Sequence, residues 1–159
     1  MSYLTQKTIK KNVLISGVGL HTGLGVNLLI KPAKPNHGIV FKRVDIKSNN
    51  LVYPSFLNVT NTSLNTTVEN EFGVKVSTIE HLMGALFGLG IDNALIEIDK
   101  EEVPIMDGSA KIFIDQILKA GIEVSDSPIK IIKINKEIKF SEGDRFISIK
   151  PSTLNLEID

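Results

Sequence analysis

The spacing of apolar residues changes along this chain, and those changes restrict the folds that are open to it. In the first half the apolar stretches are short, as at residues 13–15, 26–30 and 38–41, and glycine or proline residues separate them. Short apolar runs between turn residues are typical of β-strands joined by tight connections. The sequence therefore predicts that the first half is built mainly of strands.

Two later stretches have the three- and four-residue spacing of amphipathic helices. The first covers residues 76–90 and the second covers 109–121, and glycine ends each of them. Between them, residues 93–98 form an apolar run with a single charge, which suits a buried strand. Strands and two helices without regular alternation predict an α+β fold, with the helices packed on one face of a mixed sheet.

The last part of the chain returns to strand patterns. Residues 125–128 (SDSP) are the predicted domain boundary, since boundaries commonly fall in polar, proline-containing segments. Beyond them, residues 129–138 and 145–149 flank a polar turn and predict a β-hairpin, and residues 154–159 alternate strictly between apolar and polar.

The length allows one complete domain. A chain of 159 residues, 42% of them hydrophobic, can bury one substantial core and the beginning of another. We therefore expect residues 1–125 to form one domain, and residues 126–159 to form a linker and the start of a second. The segment 58–67 is rich in Asn, Thr and Ser, and it predicts an edge strand or a loop.

Composition narrows the class of function. The 18 Lys and Arg residues balance 18 Asp and Glu residues, which argues against a nucleic-acid partner. The chain has no cysteine, so it has no disulfides and no thiolate metal site, and a reducing compartment suits it. No apolar run approaches the roughly 20 residues needed to span a bilayer, and no signal peptide is visible. We expect a cytoplasmic protein without a transmembrane segment.

Glu80 and His81, at the start of the first predicted helix, are the most specific candidates in the sequence for a catalytic or metal-binding site. An imidazole can hold a zinc ion while a neighbouring carboxylate takes a proton from water bound to it. The local pattern also fits a capping box, in which Ser77 and Glu80 exchange hydrogen bonds at the helix start. On that pattern alone the capping box is the favoured interpretation, and a lone histidine such as His81 is more often structural than a ligand.

Three other positions have open interpretations. His21 lies in a glycine-rich stretch that either turns between strands or approaches a ligand closely. His37 follows Pro and Asn and is expected to be an exposed turn residue. Asp107 precedes the second predicted helix, where it could cap the helix, pair with a cation or face a site. Capping is the simplest of these roles.

Four stretches together are far more specific than any one of them. They are residues 16–23 (SGVGLHTG), 77–82 (STIEHL), 88–93 (GLGIDN) and 104–109 (PIMDGS). In this order they resemble the UDP-3-O-acyl-N-acetylglucosamine deacetylases, which are zinc hydrolases of lipid A biosynthesis in Gram-negative bacteria. The resemblance runs from about residue 4 to the end of the chain, and members of that family are considerably longer.

The resemblance implies a fold of two similar α+β domains whose helical layers pack together, with the active site between them. Residues 1–125 resemble the first domain, and the later hairpin resembles only the opening of the second. It also implies that Glu80 is the general base that activates a zinc-bound water against the N-acetyl amide. His81 would be one of three zinc ligands.

The remaining parts of such a site lie in the family's second domain. Two further ligands, a His and an Asp, belong to a His-Lys-x-x-Asp helix, and the histidine that protonates the departing amine lies later still. This chain has three histidines, His21, His37 and His81, so one copy of it cannot supply that ligand set. The resemblance therefore implies that this chain alone holds Zn²⁺ weakly and is inactive.

The resemblance also suggests residues that contact substrate. It places His21 and the segment Leu64, Asn65 and Thr66 where the family approaches UDP-3-O-acyl-N-acetylglucosamine. Relatives commonly have a cysteine where this chain has Asn65.

Two functions therefore remain open. The first is a deacetylase whose catalytic site this chain supplies in part. The second is a non-catalytic binding or assembly module that retains the fold and self-associates through an exposed helical face.

Overall fold

The computed structural model describes residues 4–152. The chain divides into two compact units: the first ends at Ile129 and the second begins at Lys130. Within the described residues the two α-helices are α1 (Glu80–Leu89) and α2 (Lys111–Ala120). The strands are β1 (Thr5–Ile9), β2 (Val13–Val18), β3 (Gly25–Pro32), β4 (Ile39–Arg43), β5 (Leu51–Val52), β6 (Val59–Asn61), β7 (Thr67–Glu69), β8 (Lys75–Val76), β9 (Ala94–Ile98), β10 (Ile122–Pro128), β11 (Ile138–Glu142) and β12 (Arg145–Ile149).

A five-stranded mixed sheet is the centre of the first unit. Its strand order is β2-β3-β9-β4-β5, and β4 pairs with β9 in parallel while the other neighbours are antiparallel. This arrangement follows from the short apolar runs of the first half, together with the run at 93–98. The predicted α+β fold is confirmed.

The core lies between one face of this sheet and the two helices. Every second residue of β3 and β9 is buried, as the alternation of a half-buried strand requires. The helices bury Leu82 and Leu86 from α1 and Phe113 and Ile117 from α2 in the same cluster. Full burial of one such side chain stabilises the fold by about 1.5–3 kcal/mol, so these four residues hold both helices on the sheet.

Both helices end where glycine was expected to end them. Gly90 follows α1 with φ 69°, in the left-handed region that favours glycine, and Gly121 follows α2. The start of α2 lies two residues later than predicted, at Lys111. There Ser109 Oγ accepts a hydrogen bond from Lys111 N, and Asp107 Oδ1 accepts from both the N–H and the hydroxyl of Ser109. Asp107 therefore bonds only Ser109, before the helix, and does not cap α2 as predicted: the residue that precedes the helix is Ala110.

The polar segment 58–67 forms the edge of a small sheet and a loop, except for Asn58, which ends a 3₁₀ turn before β6. Strands β6, β7 and β8 make a three-stranded antiparallel sheet, and residues 62–66 form the loop between β6 and β7. This agrees with the prediction of an edge strand or a loop. The loop brings Thr66 to the start of α1.

The pairing of β1 with β10 was not predicted from the sequence. Gln6 in β1 is buried, and its Nε2 donates to Pro128 O at 2.9 Å while its Oε1 accepts from Asn93 Nδ2 at 3.0 Å. The segment 125–128, predicted as the domain boundary, belongs to β10, which pairs with β1 in an antiparallel ladder. The predicted division into residues 1–125 and 126–159 stays a prediction.

The described part of the second unit is a single β-hairpin. Strands β11 and β12 pair antiparallel across the turn at residues 143–144, as predicted. The strand expected from residue 129 begins only at Ile138, because no described strand pairs with residues 129–137. The strand predicted at 154–159 lies outside the described residues.

No helix within residues 4–152 is long and apolar enough to cross a membrane. The cytoplasmic location stays a prediction.

Candidate active site at the start of helix α1

The chain changes direction sharply just before α1. Ser77 forms a parallel bridge with Glu102, in which Ser77 N donates to Glu101 O at 2.9 Å and Val103 N donates to Ser77 O at 3.0 Å. Thr78 follows with φ 55° and is only 2% exposed. A buried β-branched residue in the left-handed region is uncommon and strained, and here it turns the chain from the bridge into the helix.

Glu80 does not form the predicted capping box. The residue that precedes α1 is Ile79, and no side chain hydrogen-bonds the helix start there. Glu80 Oε2 instead accepts a hydrogen bond from Thr66 N at 2.9 Å, and Ile79 N donates to Thr66 O at 3.3 Å. The capping-box interpretation is therefore wrong, because Ser77 is already paired in the bridge when the helix begins.

Glu80 and His81 lie on the side of α1 that faces away from the core. Successive helical residues are rotated by about 100°, which places both of them on the same side as the three exposed positions of the helix. Both side chains are half-buried. The exposed positions are Gly84, Phe87 and Gly88, and the buried ones opposite are Leu82, Ala85 and Leu86.

The two side chains differ in how they are held. One oxygen of Glu80 is fixed by Thr66, and the other accepts no hydrogen bond from any described residue. The imidazole of His81 has neither a hydrogen-bond nor an ion-pair partner among residues 4–152. Over the same residues, no group of three or more His, Cys, Asp and Glu side chains could hold a metal ion. The described part of the chain thus offers one imidazole ligand beside one carboxylate.

The segment predicted to contact substrate reaches this site through one residue. Thr66 is bonded to Glu80, as described above. Asn65 Oδ1 accepts from Thr67 Oγ1 at 3.0 Å, within its own loop. Leu64 has φ 60°, and its side chain is 90% exposed. No bond joins Leu64 or Asn65 to Glu80 or His81 in the described structure.

The glycine-rich stretch around His21 is a hairpin turn between β2 and β3, here called the glycine loop (residues 19–24). Gly19 N donates to Leu24 O, and Gly23 N donates to Gly19 O, both at 3.0 Å. The imidazole of His21 is exposed. His37, in a different turn, is also exposed, as expected, and its Nδ1 lies 2.9 Å from Gly38 O.

Glu102 binds the glycine loop, and sequence reasoning missed it. Its carboxylate is 1% exposed, and one or both of its oxygens accept from His21 N, Thr22 N, Thr22 Oγ1 and Thr78 Oγ1, at distances from 2.8 to 3.2 Å. A Cβ added at Gly19 would clash with Glu102 Oε2 and Thr22 Oγ1, so the loop needs glycine there. The only local signal was a second acidic residue in a polar turn, directly before an apolar residue and a proline.

The pKa of Glu102 reflects these contacts. Burial alone would raise it, because a charged carboxylate loses its hydration. The hydrogen bonds from His21 N, Thr22 N and the two threonine hydroxyls outweigh that cost and hold the pKa below its ordinary value of 4.5. Glu102 is therefore an anion at neutral pH.

The third recognised stretch, residues 88–93, has a structural role. Lys7 N donates to Asp92 Oδ2 at 2.7 Å, and the N–H groups of Asp92 and Asn93 both donate to Lys7 O. Asn93 Oδ1 also accepts from Gly38 N at 2.9 Å. These bonds attach β1 and the β3–β4 turn to the end of α1, and they place no side chain near Glu80.

Comparison with known proteins agrees with the motifs. Residues 6–159 match the family described as UDP-3-O-acyl N-acetylglycosamine deacetylase. The chain belongs to this deacetylase family. A match over nearly the whole chain explains why the glycine loop, the Glu80–His81 pair and the turn before α2 occur together and in this order.

Three curated members of the deacetylase family show the extent of the similarity, and each is named UDP-3-O-acyl-N-acetylglucosamine deacetylase. The protein of Actinobacillus pleuropneumoniae serotype 3 is 41% identical over 156 residues, which are 98% of this chain and 51% of that protein. The protein of Haemophilus influenzae strain PittEE is 45% identical over 149 residues, which are 93% of this chain and 48% of that protein. The protein of Actinobacillus succinogenes is 43% identical over 159 residues. The chain spans about half the length of these relatives.

Proposed function

We propose that this chain supplies the general base and one zinc ligand of a deacetylase that acts on UDP-3-O-acyl-N-acetylglucosamine in lipid A biosynthesis. The observation that carries the proposal is the adjacent carboxylate and imidazole of Glu80 and His81. They lie in the first turn of α1, on the side away from the core, and the imidazole has no partner among the described residues.

Glu80 is arranged to take a proton. Thr66 N–H holds Oε2 and thereby fixes the orientation of the carboxylate, while Oε1 can accept from a water molecule. As the oxygen of that water adds to the carbonyl carbon of the N-acetyl amide, its proton passes to Glu80. Cleavage of the C–N bond, with a proton donated to the departing nitrogen by a histidine of the family's second domain, as the resemblance implies, then releases acetate and the amine of the sugar.

His81 would hold the zinc ion of this reaction. Zinc in such a site lowers the pKa of a bound water and polarises the carbonyl. A catalytic zinc site uses three protein ligands, and the described residues offer one imidazole here. We infer that the other ligands come from outside the described residues, as the family's second domain implies, and that this chain alone holds zinc weakly and is inactive.

The substrate would approach along the segment that precedes β7. Thr66 is hydrogen-bonded to Glu80, so the loop that contains its neighbours Leu64 and Asn65 borders the proposed site. The side chain of Leu64 is almost wholly exposed and could contact an apolar group of the substrate. His21 belongs to the same proposed surface, because Glu102 binds both His21 N and the hydroxyl of Thr78.

The test is to restore the remainder of the site and to measure zinc and activity together. The chain would be fused at residue 159 to the part of the Haemophilus influenzae relative that it does not cover. We expect about one zinc ion per fused protein and release of acetate from the substrate. His81→Ala should lose zinc and activity, whereas His37→Ala, in a remote exposed turn, should retain both.

Glu80→Gln separates the two roles in the same fusion. It should retain zinc and lose about 10²–10⁴-fold in rate, which is the usual contribution of a positioned general base. Full activity of Glu80→Gln would refute the assigned base. Tight one-to-one zinc in the 159-residue chain, abolished by His81→Ala, would refute the claim that further ligands are needed.

A second candidate function is an assembly module, and one observation favours it. The outward side of α1 exposes Phe87 to 87%, and it lies between Gly84 and Gly88, whose lack of side chains leaves the helix backbone open to close approach. Exposed apolar surface of this kind commonly marks an interaction site. We propose that this face binds either a companion domain or a second copy of the chain.

A further inference from the structure

The carboxylate of Glu102 lies at the junction of two segments that are far apart in sequence. The glycine loop supplies three of its donors, namely His21 N, Thr22 N and Thr22 Oγ1. The fourth, Thr78 Oγ1, comes from the turn before α1 and lies 2.9 Å from Oε1. In the described structure this one side chain connects the loop that carries His21 to the turn that leads into Glu80.

Thr78 is the residue whose conformation most needs support. A non-glycine residue in the left-handed region persists only where its surroundings hold it there. The bridge at Ser77 fixes the chain before it, and the bond between Ile79 N and Thr66 O fixes the chain after it. Among residues 4–152, only Glu102 forms a hydrogen bond with the side chain of Thr78 itself.

The direction in which α1 leaves the bridge depends on this turn. Glu80 is two residues beyond Thr78, and its bond to Thr66 requires the helix to start in the observed direction. We propose that Glu102 is a positioning residue for the Glu80–His81 pair, acting through Thr78, and that it also sets the glycine loop against the same turn. This inference rests on the proposed function, because it assigns Glu102 a task in that site.

Replacing the carboxylate by an amide removes acceptors without removing bulk. In Glu102→Gln the NH₂ group replaces either Oε1, the acceptor of Thr78 Oγ1, or Oε2, the acceptor of Thr22 N and Thr22 Oγ1, while His21 N lies within reach of both positions. The NH₂ group that replaces one oxygen is itself a donor and faces them. In either orientation the substitution should weaken the connection that Glu102 makes between the glycine loop and the turn at Thr78, while the core stays packed. Glu102→Ala removes both acceptors and therefore breaks the connection on both sides.

The test is an NMR comparison of the metal-free chain with its variants. Three signals report the three places concerned: the ring protons of His21 for the glycine loop, those of His81 for α1, and the amide proton of Thr66 for its bond to Glu80. The ring protons of His37 serve as an internal reference in a remote turn. Glu101→Gln, at the exposed neighbour of Glu102, is the matched control for the loss of one carboxylate.

In folded Glu102→Gln we expect the signals of His21, His81 and Thr66 all to move, while His37 stays in place. The Thr66 amide should move toward its position in Glu80→Ala, where its acceptor is absent. Glu101→Gln should leave all four signals unchanged. If His21 moves but His81 and Thr66 stay in place in both Glu102→Gln and Glu102→Ala, Glu102 serves the glycine loop alone and the proposal is overturned.

Two substitutions of Thr78 are milder and test the same proposal if Glu102→Gln does not fold. Thr78→Val keeps the shape and the β-branch but removes the hydroxyl, whereas Thr78→Ser retains the hydroxyl. We expect Thr78→Val to move His81 and Thr66, and Thr78→Ser to restore them. Equal spectra of the two variants at these positions would overturn the proposal. Because no metal or substrate enters these measurements, their failure is distinguishable from failure of the proposed deacetylase activity.

Discussion

Glu80 and Glu102 are two carboxylates of one small region with opposite surroundings. Glu80 is half-buried and accepts one hydrogen bond from the protein, so an oxygen remains for a proton or a water. Glu102 is almost wholly buried and accepts from four donors, which leaves it no capacity for chemistry. Their surroundings therefore suit the reactive role proposed for the first and the positioning role proposed for the second.

The lowered pKa of Glu102 predicts a loss of stability in acid. A carboxyl whose pKa is lower in the folded than in the unfolded protein stabilises the fold when the pH is above the unfolded-state pKa. That contribution disappears as the pH falls through the folded-state pKa. The melting temperature should therefore fall as the pH is lowered below about 5. In Glu102→Gln it should be lower at neutral pH and should fall less steeply in acid, as measured by circular dichroism. An equally steep fall in the variant would contradict this prediction.

Gly19 is predicted to be intolerant of a side chain. A methyl group there would overlap Glu102 Oε2 and Thr22 Oγ1, both of which are held by hydrogen bonds. Gly19→Ala should therefore lower the free energy of unfolding by about 1–3 kcal/mol, the usual cost of overpacking. Gly25→Ala is the control, because a Cβ added at Gly25 meets no atom within 4 Å. Urea unfolding of the two variants measures the difference, and equal stabilities would show that the glycine loop can move away from Glu102.

At the scale of elements, signals between neighbours in sequence were enough to predict both helices, their glycine ends and the hairpin of β11 and β12. Features that depend on residues far apart in the sequence could not be predicted in this way. The start of α1 was placed too early because Ser77 pairs with Glu102, 25 residues away. The pair of β1 and β10 was missed because its strands are separated by more than 110 residues and neither alternates cleanly between apolar and polar.

The features of the candidate site also divide into those set by neighbours in sequence and those set by residues far apart in the sequence. Glu80 and His81 are adjacent in sequence, so their common place on one helix turn could be predicted. The bond of Glu80 to Thr66 and the role of Glu102 depend on a buried carboxylate and a loop that come together only in the folded chain. No periodicity or motif in the sequence encodes such a contact.

Gly84, within α1, and Gly90, directly after it, are predicted to change the free energy of unfolding in opposite directions when replaced by alanine. Gly84 lies within the helix with no atom within 4 Å of an added Cβ, so Gly84→Ala should raise the free energy of unfolding by about 0.5–1 kcal/mol. Gly90 has φ 69°, which alanine adopts with strain, so Gly90→Ala should lower it by a similar amount, about 1 kcal/mol. Thermal or urea unfolding of the two variants gives the test. If both variants changed the free energy of unfolding in the same direction, either the left-handed conformation of Gly90 or the open surroundings of Gly84 would be contradicted.

At the scale of the whole molecule, the outward side of α1 combines the proposed catalytic pair with an exposed aromatic residue. Burial of one phenylalanine side chain contributes about 1.5–3 kcal/mol, and two copies meeting through this face would each bury one. A proposed site on the same side of the helix as Phe87 would then be covered by whatever binds there. Association through this face and access to Glu80 are therefore linked.

We predict that the 159-residue chain self-associates through this side of α1 and that Phe87→Ser weakens the association. The variant removes the most exposed aromatic side chain of the helix face and leaves the buried residues of α1 in place. Sedimentation velocity over a range of concentrations should show a larger species for the unchanged chain and a shift toward monomer for Phe87→Ser. Phe72→Ser is the control, since Phe72 is 59% exposed and lies in the turn after β7. If Phe72→Ser dissociates the chain and Phe87→Ser does not, the contact surface lies elsewhere, and the assembly function loses the observation that favours it.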